Sequence, residues 1–268
     1  MRIVVPIKQV PETTAVKMDE ATGTMIREGV EAIVNPLDLY AIESAIRLRE
    51  GWPEGGAEVI ALSMGPPKAR TALAEAIAMG ADSAVLLSNK AFAGSDTWAT
   101  SYVLAAAIRR MGDVDLIVCG ERATDGDTGQ VGPGIAAWLD LPVLSYVGRI
   151  DEVGGTRCRV HRLVEDGYEV LDCDLPAVLT VVKEVADPRL PTLRGKQRAR
   201  GADIPVWGPA DLDVEPDKLG LTGSPTRVVK IFRPTVARQC RKLTPTDDGS
   251  LHAAVDELVA FLKTRELL

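Results

Sequence analysis

Between Leu116 and Pro133 the chain passes from four apolar residues, Leu116-Ile117-Val118-Cys119, into a loop rich in Gly, Asp and Thr. Val131, Ile135, Trp138 and Leu139 then recur at helical spacing. The apolar run predicts a buried parallel strand and the periodic run a helix. In an open α/β sheet, ligands sit just beyond the carboxyl ends of strands, where such a loop lies. Gly126, Gly129 and Gly132 allow close backbone approach and positive φ. The N–H groups of a helix N-terminus suit a phosphate. The loop contains no lysine, so it is not a GxxxxGK[ST] phosphate loop, and it lacks the GxGxxG order of a dinucleotide fingerprint. Two readings stand: a pyrophosphate cradle, or a solvated turn in which Asp and Thr cap the next helix.

The elements that must position this loop follow an alternating pattern. Residues 3–7 predict a strand. A helix over 37–49 is introduced by Asn35 as cap and Pro36 at the first helical position. Strands are expected at 58–62, 84–87 and 116–119. Helices are expected from Pro66-Pro67 to Met79 and from about Asp96 to Met111, stopped by Gly80 and Gly112. This order implies an α/β fold: a doubly wound, mostly parallel sheet of Rossmann-like type with helices on both faces. Residues 157–163 and 168–171 read as a hairpin around Asp166-Gly167, and 178–182 as a strand returning to the sheet. From Ala186 prolines are frequent and apolar periodicity is sparse until a helix at about 251–262. We therefore expect a nucleotide-binding domain over 1–185 and an extended C-terminal arm over 186–268. Long structureless segments are rare inside compact domains, so the arm should drape over a partner subunit.

Composition excludes several classes. Apolar residues make up 46% and charged residues 26%, ordinary globular usage. A net charge of -7 argues against nucleic acid or an anionic membrane as the main partner. No apolar run approaches the roughly 20 residues that span a bilayer, and the first apolar run is too short for a signal peptide. A cytoplasmic location is expected. Cysteines 119, 158, 173 and 240 form no CxxC pair, and the histidines at 161 and 252 sit in no ligand-spaced cluster. No metal site is expected, and the thiols should be reduced. The segment 189–200 carries Arg189, Arg194, Lys196, Arg198 and Arg200 without an acid. No aromatic is interleaved, so a solvated loop or a protein-docking arm is the expectation.

Several short motifs, in order and over nearly the whole chain, resemble the beta subunits of electron-transfer flavoproteins. They are Lys8-Gln9-Val10-Pro11-Glu12-Thr13, Asn35-Pro36-Leu37-Asp38, Met64-Gly65-Pro66, Met79-Gly80-Ala81-Asp82, the loop Ala123–Pro133, and Asp187-Pro188-Arg189-Leu190-Pro191-Thr192-Leu193-Arg194-Gly195. The resemblance implies a heterodimer with an alpha subunit that holds FAD, the C-terminal arm and terminal helix contacting that subunit. It also implies a second adenine nucleotide in this chain: FAD in the electron-bifurcating branch, structural AMP in the housekeeping branch. Asp125-Gly126-Asp127-Thr128 and Gly223-Ser224-Pro225-Thr226 are similar to the bifurcating branch. Glu121-Arg122 departs from the pattern, since relatives often carry a basic residue followed by Gln there. Either Glu121 points away from a pyrophosphate or the ligand pose differs.

By that resemblance, Pro6, Asn35, Asp38 and Met64 would line the adenosine pocket, with a plain helix cap as the other reading of Asn35. Ala123, Thr124, Asp125, Gly126, Asp127, Thr128, Gly129, Gln130, Val131 and Gly132 would wrap the adenine, ribose and phosphates. Thr128 and Gln130 would donate through side chains, and Gly129, Val131 and Gly132 through backbone N–H groups. Asp127 would accept from a ribose hydroxyl or cap the next helix. The loop holding Arg189, Leu193 and Arg194 would dock an acyl-CoA dehydrogenase-type partner, Leu193 acting as an apolar anchor among steering charges. NADH is the implied electron donor and a ferredoxin-like protein the low-potential acceptor. The non-bifurcating alternative delivers electrons to a quinone oxidoreductase. No catalytic triad is evident, so the chain reads as an electron-carrier subunit, with any NADH-oxidising activity belonging to the heterodimer. An adenylating enzyme would need a Ser-Gly-Gly-x-Asp-Ser type loop after the first strand, which Lys8-Gln9-Val10-Pro11 is not.

Overall fold

Ile3 and Val5 pack into one cluster of buried side chains and Val4 into another, on opposite faces of the first strand. Burial on both faces is what a central strand of a parallel sheet requires. The computed structural model describes residues 1–12, 17–18, 25–26, 32–53, 56–229 and 240–268. Thr13, the last residue of the opening motif, lies outside them, as do residues 230–239 of the expected arm.

Strand β1 (Arg2–Pro6) is followed by β2 (Gln9–Pro11), β3 (Lys17–Met18), β4 (Met25–Ile26) and β5 (Ala32–Val34). Helix α1 (Pro36–Gly51) leads to β6 (Glu58–Met64), α2 (Arg70–Met79) to β7 (Ser83–Leu87), and α3 (Thr97–Met111) to β8 (Leu116–Gly120). Then come α4 (Val131–Leu139), β9 (Val143–Gly154), β10 (Arg157–Val164), β11 (Gly167–Asp174) and β12 (Ala177–Val181). The nine-stranded sheet has the order β11-β10-β9-β12-β8-β1-β6-β7 and ends on a ninth strand, β13 (Val206–Trp207). All neighbours from β9 to β13 pair parallel, and β10 and β11 are antiparallel additions. Ala41, Ile42 and Ile46 of α1, with Leu73 and Ile77 of α2, fill one face. Val103, Leu104 and Ala107 of α3, with Ile135 of α4, fill the other. The sheet is doubly wound, as the alternating pattern implies.

Three features depart from the sequence reading. The expected hairpin is part of a three-stranded ribbon whose first strand, β9, was not legible. Its burial does not alternate cleanly, and Tyr146 sits at φ 57 at a register shift against β12. The basic segment is not a loop: α5 (Leu193–Gly201) caps itself, Thr192 Oγ1 accepting from Gly195 N at 2.9 Å. A Cβ on Gly195 would fall 2.0 Å from Ala78 O, so α5 lies tight on the end of α2. Arg198 Nη2 donates to Ile77 O at 2.7 Å and Ala81 O at 2.8 Å, satisfying carbonyls at that helix end. Polar sequence hid this helix because it holds by backbone approach and charged hydrogen bonds, not by an apolar stripe.

The third departure is the boundary. Residues 1–230 form one compact unit and 231–268 a second, so the body does not end at 185. Ile204, Leu212 and Leu219 are buried, and β13 pairs with β7, within the stretch expected to be extended arm. Of the second unit by itself, the described residues form helix α6 (Asp248–Thr264). Asp247 Oδ1 caps it by accepting from Ser250 N at 2.7 Å.

Candidate functional site: a cavity over the carboxyl ends of four strands

After β1 the chain builds β6 and β7 on one side, then returns to place β8 on the other side of β1. The crevice at such a reversal is where open α/β sheets hold ligands. A cavity of about 850 Å³ opens there. Its walls are Pro6–Lys8 after β1, Met64–Pro67 after β6, Ser88–Lys90 and Phe92–Ser95 after β7, and Cys119–Ala123 with Gly126 and Thr128–Gly132 after β8. Burial pushes the Cys119 thiol up, so it remains a neutral part of the floor.

Of the residues singled out from sequence, Pro6, Asp38, Met64, Ala123, Gly126, Thr128, Gly129, Gln130, Val131 and Gly132 line this cavity. Asn35, Thr124, Asp125 and Asp127 do not line it. Asn35 is fully buried and makes no side-chain cap bond to α1, so the plain-cap reading is corrected. Its Nδ2 donates to Asp38 Oδ1 and to Arg122 O, both at 2.9 Å, and its Oδ1 accepts from Thr124 N at 3.1 Å. One amide thus hangs the glycine loop from the start of α1. Asp127 does not cap α4 either; its carboxylate faces Arg122 Nε at 3.0 Å.

The glycines divide by role. Gly129 alone of the three loop glycines has positive φ, at 62. Gly126 has open space where a Cβ would stand. A Cβ on Gly132 would lie 2.5 Å from Thr180 Cγ2, so that glycine lets α4 approach β12. Gly120 was missed: a Cβ there would meet Asp38 Oδ1 at 2.5 Å and Leu37 O at 2.9 Å. The cations were missed as well. Lys8, Lys90 and Arg122 all line the cavity, although the loop itself has no lysine. The signal was present, since each stands within three residues of a strand end. Glu121 is in the wall, with Arg122 Nε 3.6 Å away to offset its charge.

Asp38 is the buried acid of the site. Its Oδ2 accepts from Lys8 N at 2.7 Å. Burial raises its pKa to about 7, against the opposing hydrogen bonds from Asn35 and Lys8. A carboxyl whose pKa is higher folded than unfolded contributes stability that is full below its unfolded value, near 3.8, and lost as pH rises through 7. The unfolding free energy of the native chain should therefore fall relative to Asp38→Asn between pH 4 and 8, by about 2–4 kcal/mol. Parallel denaturant curves across that range check it, and a flat difference would contradict the burial argument.

The residues expected to dock a partner lie elsewhere. Leu193 is 87% exposed at the first position of α5 and Leu190 is 86% exposed. Arg189 is not an outward steering charge. It donates to Glu43 Oε2 at 2.8 Å and to both oxygens of Glu50 at 2.6 and 2.8 Å. Burial alone would raise the Glu43 carboxyl, but Arg189 and Arg47 outweigh it and hold the group below its ordinary range. Arg194 is exposed beside Leu193. Among the described residues no acid, histidine and cysteine cluster could hold a metal ion, and no helix is long and apolar enough to cross a membrane.

The site fits an adenine nucleotide by its donors. The N–H groups of Val131 and Gly132, in the first turn of α4, have no partner within the helix. Gly129 turns the chain toward them at positive φ. Cations stand on two sides of the cavity, and apolar Pro6, Met64, Phe92 and Leu104 offer faces for rings.

Comparison with known proteins gives the family. The electron transfer flavoprotein domain matches residues 22–212. The chain is 45% identical over 268 residues to the caffeyl-CoA reductase-Etf complex subunit CarD of Acetobacterium woodii, covering all of both chains. It is 44% identical over 269 residues to the electron transfer flavoprotein subunit beta of Thermoanaerobacterium thermosaccharolyticum, again over 100% of each. Protein FixA of Azorhizobium caulinodans is 41% identical over 273 residues, 99% of this chain and 95% of that one. The chain belongs to the electron transfer flavoprotein family, among its beta subunits.

Proposed function

We propose that this chain binds FAD in the cavity and works with an FAD-holding alpha subunit, passing electrons from NADH to an acyl-CoA dehydrogenase-type partner and, by bifurcation, to a low-potential acceptor such as ferredoxin. The observation that carries the reading is the reach of the cavity. It runs along the ends of four adjacent strands, β8, β1, β6 and β7. Three interstrand spacings make about 14 Å, room for adenosine at one end and a second ring system beyond the pyrophosphate. The similarity to a subunit of a caffeyl-CoA reductase-Etf complex supports the same reading.

In this account Thr128, Gly129, Val131 and Gly132 hold the phosphates, and Asn35 positions them without touching the ligand. Pro6 and Met64 pack against the adenosine, and Asp38 shapes the turn where α1 meets β8. FAD supplies reversible uptake of electrons, and the chain supplies position, charge and exclusion of water. Exposed Leu193 with Arg194 forms the docking point for the dehydrogenase, and residues 231–268 contact the alpha subunit. The complex acts in the cytoplasm.

The test is nucleotide content. The alpha–beta pair, purified and acid-extracted, should release two FAD. One FAD and one AMP would show instead the non-bifurcating, quinone-linked carrier with a structural nucleotide.

A further inference from the structure

Lys8 stands two residues beyond β1, at the reversal point of the sheet, and is one of the residues that line the cavity. Its backbone is fixed from both sides. Lys8 N donates to Asp38 Oδ2 at 2.7 Å, and Lys8 O accepts from Asn35 N at 2.8 Å. Its ammonium reaches across to the glycine loop, where Nζ donates to Asp125 Oδ1 at 2.6 Å. Asp125 does not line the cavity. A rigid base thus carries a head that is parked on an acid just outside the ligand space.

We propose that Lys8 is the phosphate-binding cation of this cavity, and that Asp125 is a stand-in anion which the nucleotide's phosphate displaces. The proposal rests on the nucleotide reading above and adds a residue and an exchange to it. The energetics suit an exchange. The pair is half open to water, with side-chain exposures of 48% and 27%, so it is weak and easily given up. A phosphate offers the same ammonium more acceptor oxygens and a larger charge. The neighbouring pair has the same form: Arg122, also in the wall, holds Asp127, which is not. The two ion pairs keep cations beside the cavity without leaving them unpaired when no ligand is bound.

An exchange predicts opposite signs for the two halves of the pair. Asp125→Asn releases Lys8 and should tighten AMP binding to the full-length chain about three- to fivefold. Lys8→Met should weaken it about tenfold or more, because a charge-assisted contact is lost. In the Lys8→Met background, Asp125→Asn should have no effect on affinity. Titration calorimetry with AMP on native, single and double variants reads all four values, and thermal unfolding confirms that each is folded. If both single variants weaken binding alike, the pair is a structural tie and the exchange is wrong. If Lys8→Met binds as the native chain does, Lys8 is not the phosphate cation. A native chain that binds neither AMP nor FAD would overturn the nucleotide reading itself, an outcome distinct from a wrong order among variants.

Discussion

Asn35→Ala should lower the stability of the chain by about 2–4 kcal/mol and strip the cavity of nucleotide. The side chain is fully buried and has three partners on two segments. Removing it leaves the carbonyl of Arg122, the N–H of Thr124 and one oxygen of Asp38 without their bonds. Each orphaned group costs its desolvation, and the Asp38 carboxyl is already disfavoured by burial. The loop from Arg122 to Gly132 then has nothing to fix its start, and the N–H groups proposed to hold phosphate lose their aim. Thermal unfolding should show a drop of about 5–12 °C. Asn35→Asp separates the two roles. It keeps the volume but places a second carboxylate against Asp38, so it should be markedly worse at pH 8 than at pH 5. Equal loss at both values would contradict the charge argument.

The second large effect is expected at Gly129. Its φ of 62 is left-handed, and Val there is strained by about 1–2 kcal/mol or more, since a β-branched side chain crowds the following carbonyl. Space alone is not the obstacle, because a Cβ would meet Glu121 O at an ordinary 3.6 Å. The chain will relieve the strain by rotating the turn, which carries the N–H of residue 129 and the start of α4 away from the proposed phosphate position. Gly129→Val should therefore lose at least about tenfold in nucleotide affinity with little change in melting temperature. Gly126→Ala is the matched control: φ is not positive there and nothing lies within 4 Å of the new methyl. It should lose less affinity than Gly129→Val, because the turn itself stays unstrained. Full nucleotide retention in Gly129→Val would remove this loop from the site.

Much of this was legible in the sequence, and the reasons are physical. Parallel strands announce themselves as apolar runs because both faces are buried, and helices α1 to α4 because each has an apolar stripe, with Gly80 and Gly112 stopping α2 and α3. The glycine loop was legible as a candidate because ligand-binding loops follow strand ends in open α/β sheets. What escaped notice were contacts between distant segments. Asn35 reads as a cap locally, yet its partners are Arg122 and Thr124. Lys8 is 117 residues from Asp125, and no local pattern joins them. Arg189 reads as a surface cation, but Glu43 and Glu50 wait for it on α1. Helix α5 and strand β13 belong to the body through tertiary packing that a polar, proline-rich sequence does not advertise.

The most direct test of the central claim is backbone hydrogen–deuterium exchange of the full-length chain with and without FAD. The account predicts slowed exchange in four stretches brought together only by the fold: 6–8, 64–67, 88–95 and 120–134. Protection should be strongest at Gly129–Gly132, where N–H groups meet phosphate. Protection confined to other parts of the chain, or none on addition of saturating FAD, would contradict the claim that this cavity is the nucleotide site.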